Sequence, residues 1–205
     1  MRIAVLGAGG HGKVVADAAM AIQGISVVGF LDDDPALAGR TFLGLPVLGA
    51  VPLWQDIAID AIVPAIGNNR RRREVVIRER ARNAALATIV HPAAVVSRRA
   101  NVGSGTAVLA GAIINADAQV GENVIINTGA IVEHDCAIGS HVHIAPGCCL
   151  AGAVRVGEGS FLGIGCRILP GLNIGRWCIV GAGAVVVRDV EDNTTVAGVP
   201  AKVLR

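Results

Sequence analysis

The chain has 205 residues, of which 53% are hydrophobic and 17% charged, and a net charge of +2. That apolar content is enough to bury a core and excludes a disordered chain, while two Trp, three Phe, no Tyr and so small a charge exclude an electrostatic nucleic-acid binder with a base-stacking platform. Twenty-seven glycines beside so few rings point to a narrow interior that repeats one side-chain size, as in a solenoid.

The first element is a strand, Ile3 to Leu6, which starts directly without the sections of a signal peptide, so a cytoplasmic protein is expected. It runs into Gly7-Ala8-Gly9-Gly10-His11-Gly12-Lys13, then a helix from about Val14 to Ala21 and a strand around Ser26 to Leu31. This is a βαβ, Rossmann-like unit: its glycines let a ligand approach the backbone, and amides at the helix start face a phosphate. Asp32, Asp33 and Asp34 follow, where a carboxylate can accept hydrogen bonds from a ribose or a base edge. The spacing Gly7, Gly9, Gly12 with Asp32 twenty residues on formally matches an NAD fingerprint. The unit is short, however, and no domain for hydride chemistry follows it, so a dinucleotide oxidoreductase stands only as an alternative. A strand from Ala61 to Ile66 ends in Gly67-Asn68-Asn69 ahead of an arginine-rich helix, whose Arg70 to Arg73 read as a solvated helix start, with a phosphate contact as the other reading.

From Val90 to Val186 every sixth residue is Val, Ile or Leu, a period that neither a helix nor an ordinary strand generates. Gly follows the aliphatic at Val102, Val120, Ile138, Val156 and Ile174, so three hexads make one 18-residue coil, with glycine expected to relieve its corners. Two residues before the aliphatics stand small residues such as Ala112, Ala118, Ala130, Cys136, Cys148, Ser160, Cys166, Cys178 and Ala184. Side chains two apart share a face of a strand, so both positions are predicted to point inward. Four cysteines thereby become core residues and only Cys149 lies outside this register; their spacing matches no zinc framework, and disulfides are not expected. Apolar stretches such as Trp177 to Val187 are too short and too rich in glycine to span a bilayer, so no membrane segment is expected.

The outward positions between Val132 and Ile144 carry Glu133, His134, Asp135, His141 and His143, three of the five histidines of the chain. A neutral imidazole titrates near working pH and suits a general base, and an adjacent carboxylate can fix its tautomer and raise its basicity; His134 with Asp135 fits that description. His143 should point outward, His141 reads as solvated surface, and His91 as a junction residue. The inward cysteines leave no convincing nucleophile, so no acyl-enzyme is expected.

The hexads resemble the left-handed parallel β-helix of hexapeptide acyltransferases, and Val196-Ala197-Gly198-Val199-Pro200-Ala201-Lys202 is similar to the C-terminal signature of that family. With Gly-Ala-Gly-Gly-His-Gly, Leu31-Asp32-Asp33 and Ile66-Gly67-Asn68-Asn69 in front of them, the whole chain resembles the acetyltransferases of nucleotide-linked amino sugars and of sialic acid. The resemblance implies two domains: residues 1–86 bind the nucleotide sugar, with contacts at Gly9, Gly10, His11, Asp32 and Asp33, and residues 87–205 form the β-helix. Glu133-His134-Asp135-Cys136 matches a family motif whose His is the general base tuned by the acid after it. By the same carry-over, His143, Gly152, Ile164 and Ala182 contact acetyl-CoA, the last replacing a glycine of relatives. Homotrimers without a metal, with CoA in a cleft between two β-helices, are implied as well. The expected reaction is N-acetylation of the 4-amino group of a nucleotide-linked 4-amino-4,6-dideoxysugar, with UDP, GDP and dTDP left open. The alternatives are O-acetylation of sialic acid or a related sugar hydroxyl, and a non-catalytic β-helix that senses a nucleotide.

Overall fold

The structure, a computed structural model, describes residues 1–204 and divides into two compact units, Met1–Pro92 and a second that begins at Ala93. In the first unit β1 (Arg2–Leu6), β2 (Ser26–Leu31), β3 (Thr41–Phe42), β4 (Leu45–Gly49) and β5 (Ala61–Pro64) form one sheet in the order β3-β4-β2-β1-β5, parallel except for the β3–β4 pair. Ile3, Leu6, Phe30, Leu31 and Ile62 are fully buried in it. Two helices accompany the sheet, α1 (Gly10–Met20) and α2 (Asn69–Arg80). The first starts four residues before the apolar periodicity does, because its opening turn is built from residues with poor helix propensity. Gly12 is required there: a Cβ on it would lie 1.9 Å from the Gly7 carbonyl oxygen. The start of α2 is fixed by the Asn68 side chain, which accepts the Arg71 N–H at 3.0 Å. The short β3 and β4 carry no periodic signal long enough to read from sequence.

The second unit is a parallel β-helix. Two-residue strands stack in three sheets, one running from Val95–Val96 to Val185–Val186, a second from Asn101–Val102 to Asn173–Ile174 and a third through Ala107–Val108, Ile125–Ile126, His143–Ile144, Phe161–Leu162 and Ile179–Val180. Each strand pairs with the one 18 residues later, as in Ile131↔Cys149 and His143↔Phe161. Both inward registers are as predicted: the aliphatics from Val108 to Val186 are buried, and Ala112, Ala118, Ala130, Cys136, Cys148, Cys166 and Ala184 are fully so. Ser160 joins them because its hydroxyl is satisfied, donating to the Gly175 carbonyl at 2.7 Å and accepting the Cys178 N–H at 2.9 Å. The described cysteines are all free.

The glycines that follow the aliphatics at 18-residue spacing do not turn corners, and here the structure corrects the sequence reading. None of Gly103, Gly121, Gly139, Gly157 and Gly175 has a positive φ; a Cβ on Gly139 would lie 2.7 Å from the Glu158 nitrogen, and one on Gly157 2.6 Å from the Arg176 nitrogen. They are small because the next coil presses on them. The corners turn three residues after an inward aliphatic, in a left-handed conformation held at Gly147 (φ 66), Gly165 (φ 67) and Gly183 (φ 66) but also at Asp117, Asn123, Asp135 and His141. Gly139→Ala is therefore expected to lower stability by about 2 kcal/mol through steric overlap. Gly183→Ala, with open space at its Cβ, should cost only about 1 kcal/mol. Thermal unfolding of the two variants side by side measures the difference.

Candidate functional site

The outermost chemistry of the β-helix sits where the strand Ile131–Val132 ends. The backbone there is tied to both neighbouring coils: Glu133 N–H donates to Leu150 O at 3.1 Å, Asp135 N–H to Ala116 O at 3.1 Å, and His134 O accepts Ala153 N–H at 2.9 Å. Asp135 occupies a left-handed corner (φ 61), a conformation aspartate tolerates, and its Oδ2 lies 2.8 Å from His134 Nδ1. A carboxylate oxygen can only accept, so the proton of the neutral imidazole sits on Nδ1 and Nε2 keeps its lone pair. Both side chains are more than half exposed, at 61% and 62%. The Asp135 hydrogen bond, with the Asp135 and Glu133 charges behind it, outweighs slight desolvation and holds His134 above the ordinary histidine pKa. Glu133 accepts Asn115 Nδ2–H at 2.9 Å. One coil on, Gly152 faces the ring so closely that a Cβ would stand 2.5 Å from His134 Cε1, so only glycine leaves the imidazole its place.

His143 departs from its expected exposure. It points away from the coil interior but is only 8% exposed, because Phe161 packs edge-on against its ring at 5.2 Å and Asn127 Nδ2 lies 3.1 Å from its Nε2. His141 is likewise not plain solvated surface, since its Nδ1 lies 2.7 Å from Asn123 Nδ2. Ile164 and Ala182 lie 18 residues apart, on successive coils, and both are exposed.

In the first unit a cleft of about 390 Å³ brings together all five residues assigned to the nucleotide sugar, Gly9, Gly10, His11, Asp32 and Asp33. Gly67, Asn68 and Arg71 line it too; the first two were not among the expected contacts, and Arg71 belongs to the run for which a phosphate contact was the second reading. Gly9, Gly10 and Gly67 have neither a positive φ nor any atom within 4 Å of a Cβ position, so nothing in the fold requires them to be glycine. The two aspartates also hold the fold. Asp32 accepts Ala8 N–H at 2.8 Å and Asp34 N–H at 3.0 Å, tying the glycine turn to the end of β2, and Asp33 accepts Val51 N–H at 2.9 Å. Burial first, then the Arg72 charge, pushes His11 down to about 4, so it is neutral at neutral pH.

Arg70 to Arg73 are not one solvated run. Arg72 is fully buried, donating to Ile66 O and to Asn69 Oδ1 at 2.9 Å each, and burial pushes it down to about 9. The signal was available in the helical period, since Asn69, Arg72, Val76 and Glu79 share the buried face of α2. Among the described residues no cluster of His, Cys, Asp and Glu could hold a metal ion, and no helix is long and apolar enough to cross a membrane.

Residues 2–78 match the family described as PglD N-terminal domain, and residues 117–152 and 153–188 match the bacterial transferase hexapeptide family. A search of curated proteins found no match. Among solved structures, a mutant of perosamine N-acetyltransferase from Caulobacter crescentus, in complex with CoA and GDP-perosamine, is 43% identical over 100% of this chain and 97% of that one, with a TM-score of 0.95. The chain belongs to the hexapeptide-repeat nucleotide-sugar acetyltransferases. The acetyltransferase domain of PglB from Neisseria gonorrhoeae, in complex with acetyl coenzyme A, is 40% identical over 99% of this chain and 98% of that chain, with a TM-score of 0.93. WeeI from Acinetobacter baumannii AYE is 29% identical, each chain is covered over 100%, and the TM-score is 0.91. Membership in this family makes the β-helix left-handed.

The His134–Asp135 pair generates a prediction independent of any substrate. Its imidazole should titrate above the ordinary histidine value, and in Asp135→Asn, where the corner conformation is still accommodated, it should fall back towards that value. Histidine NMR titration of the two proteins reads both numbers; equal values would remove Asp135 as the cause.

Proposed function

We propose that the protein transfers the acetyl group of acetyl-CoA to the 4-amino group of a nucleotide-linked 4-amino-4,6-dideoxysugar, in the cytoplasm and as a homotrimer. The single observation that carries the chemistry is the exposed His134 whose Nδ1–H is taken up by Asp135, leaving Nε2 as the basic atom. The Caulobacter relative in complex with CoA and GDP-perosamine supports the choice of donor and acceptor. Ile113, Ile131 and Val185 on the outer side of one sheet, none of them fully buried, favour further copies of the chain as neighbours.

The amine nitrogen attacks the thioester carbonyl, forming the C–N bond and a tetrahedral oxyanion. Its surplus proton passes to His134 Nε2, and the imidazolium so formed is stabilised by Asp135. Collapse of the intermediate breaks the C–S bond, and the departing thiolate takes up a proton as CoA leaves. Asp135 works by orientation and charge and keeps no proton itself. In the first unit the room at Gly9 and Gly10 admits a phosphate against the amides that open α1. His11, neutral there, offers a hydrogen bond without a charge, and Asp32 and Asp33 retain acceptor capacity beyond the backbone amides they already serve. In the second unit His143, Gly152, Ile164 and Ala182 serve acetyl-CoA.

His134→Ala should lose about 10²- to 10⁴-fold in turnover while CoA binding by calorimetry is kept; undiminished turnover would overturn the assignment. The base must be neutral to accept a proton, so kcat/KM should rise with pH through the elevated pKa of His134. In Asp135→Asn that rise should move to lower pH, as pH–rate profiles of the two proteins will show. Gly10→Ala, whose Cβ meets only open cleft, should keep its unfolding temperature and raise KM for the nucleotide sugar alone.

A further inference from the structure

Glu79 is a fully buried carboxylate on the inner face of α2, and its partners lead to the cleft of the first unit. Oε2 accepts the Trp54 Nε1–H at 2.9 Å and lies 3.4 Å from Arg82 Nη1, while Oε1 accepts the Nε–H of Arg78. A buried carboxylate costs free energy unless donors satisfy it in this way. Arg78 continues outward, and its Nη2 reaches Asp33 Oδ2 at 3.4 Å. The other oxygen of Asp33 accepts the Val51 N–H at 2.9 Å, and Val51 opens the short helix Val51–Asp56 that carries Trp54. The contacts thus close a ring, from Asp33 through Val51, Trp54, Glu79 and Arg78 back to Asp33. Asp33, Val51 and Val75 of this region line the cleft; Arg71 lines it too, but Arg78 does not.

A guanidinium is planar and rigid, so an Nε held against a buried carboxylate fixes the direction in which Nη2 points. Asp33 is then held at both oxygens, whereas the Val51 bond alone would leave the carboxylate free to turn about its last torsion. Each oxygen keeps a lone pair for a ligand. We infer that Arg78, held by Glu79, is a positioning residue for nucleotide binding: it fixes the Asp33 carboxylate as an acceptor for the N–H and O–H donors of the nucleoside and does not touch the ligand itself. The inference rests on the nucleotide-sugar reading put forward above and deepens it. An acceptor oriented in advance gives up little side-chain freedom when the ligand arrives, and that freedom is what binding would otherwise have to remove.

The test titrates the full-length protein with UDP, GDP and dTDP, and separately with CoA, by calorimetry. The variants are Arg78→Met, Arg82→Met, Asp33→Asn and the double variant of Arg78→Met with Asp33→Asn. Arg82→Met removes an equal charge from Glu79 without reaching Asp33. Arg78→Met should weaken binding of the nucleotide that wild type prefers about three- to fivefold and leave CoA binding unchanged, and Arg82→Met should alter neither. With Asp33→Asn already present, Arg78→Met should cost nothing further. In turnover its effect should fall on KM for the nucleotide sugar and spare kcat. Glu79→Gln, which can serve Trp54 or Arg78 but not both as acceptor, should weaken nucleotide binding only while Arg78 is present. Equal losses in Arg82→Met and Arg78→Met, or an Arg78→Met loss that persists beside Asp33→Asn, overturn the proposal, because the charge would then act on the ligand without Asp33. A wild type that binds none of the three nucleotides is a separate outcome, which overturns the nucleotide reading and the proposal with it.

Discussion

Every coil of the β-helix is hydrogen-bonded to the next in an 18-residue register, and the chemistry of the site depends on that stacking. Two backbone bonds donated from residues 133 and 135 and one accepted at His134 fix the segment from above and below. A loop with the same residues would have to order His134 and Asp135 at the cost of their side-chain freedom. Here the left-handed corner sets their relative direction before any substrate arrives, and the close face of Gly152 limits where the imidazole can lie. The same register forces small side chains inside the coil and glycine where one coil presses on another, which explains an interior almost without rings.

Within this frame burial and hydrogen bonding together differentiate the two histidines. His134 is open to solvent and made more basic by a carboxylate; His143 is covered by Phe161 and meets an amide. The first unit uses the opposite device at His11, where burial beside a buried arginine removes the charge. Neutral, oriented imidazoles suit acyl transfer, since a permanently charged ring could not take the amine proton.

Much of this was legible in the sequence because the hexad is a geometric signal: one aliphatic and one small residue per strand, repeated until chance is excluded, led to the coil and to the inward cysteines. The βαβ glycines and the three aspartates likewise led to residues that line one cleft. What escaped is instructive. The glycines at 18-residue spacing look like corner residues until the coil above them is present, and only then does contact, not φ, appear as their reason. Arg72 looked solvated because charge was weighed above helical phase, yet its phase with Val76 and Glu79 places it inside. The cover over His143 depends on Asn127 and Phe161, 16 residues before and 18 after, and a one-dimensional reading of outward positions has no means of pairing them.

Acyl transfer to a nucleotide-linked amine is the step that both units of the chain would serve. Release of CoA thiol should therefore be followed with acetyl-CoA and a panel of UDP-, GDP- and dTDP-linked 4-amino-4,6-dideoxysugars, alongside free sialic acid. Thiol release is expected with one nucleotide-linked amino sugar and none with sialic acid. Release with sialic acid alone, or silence across the panel from a protein that still binds nucleotide, would contradict acyl transfer to such an amine.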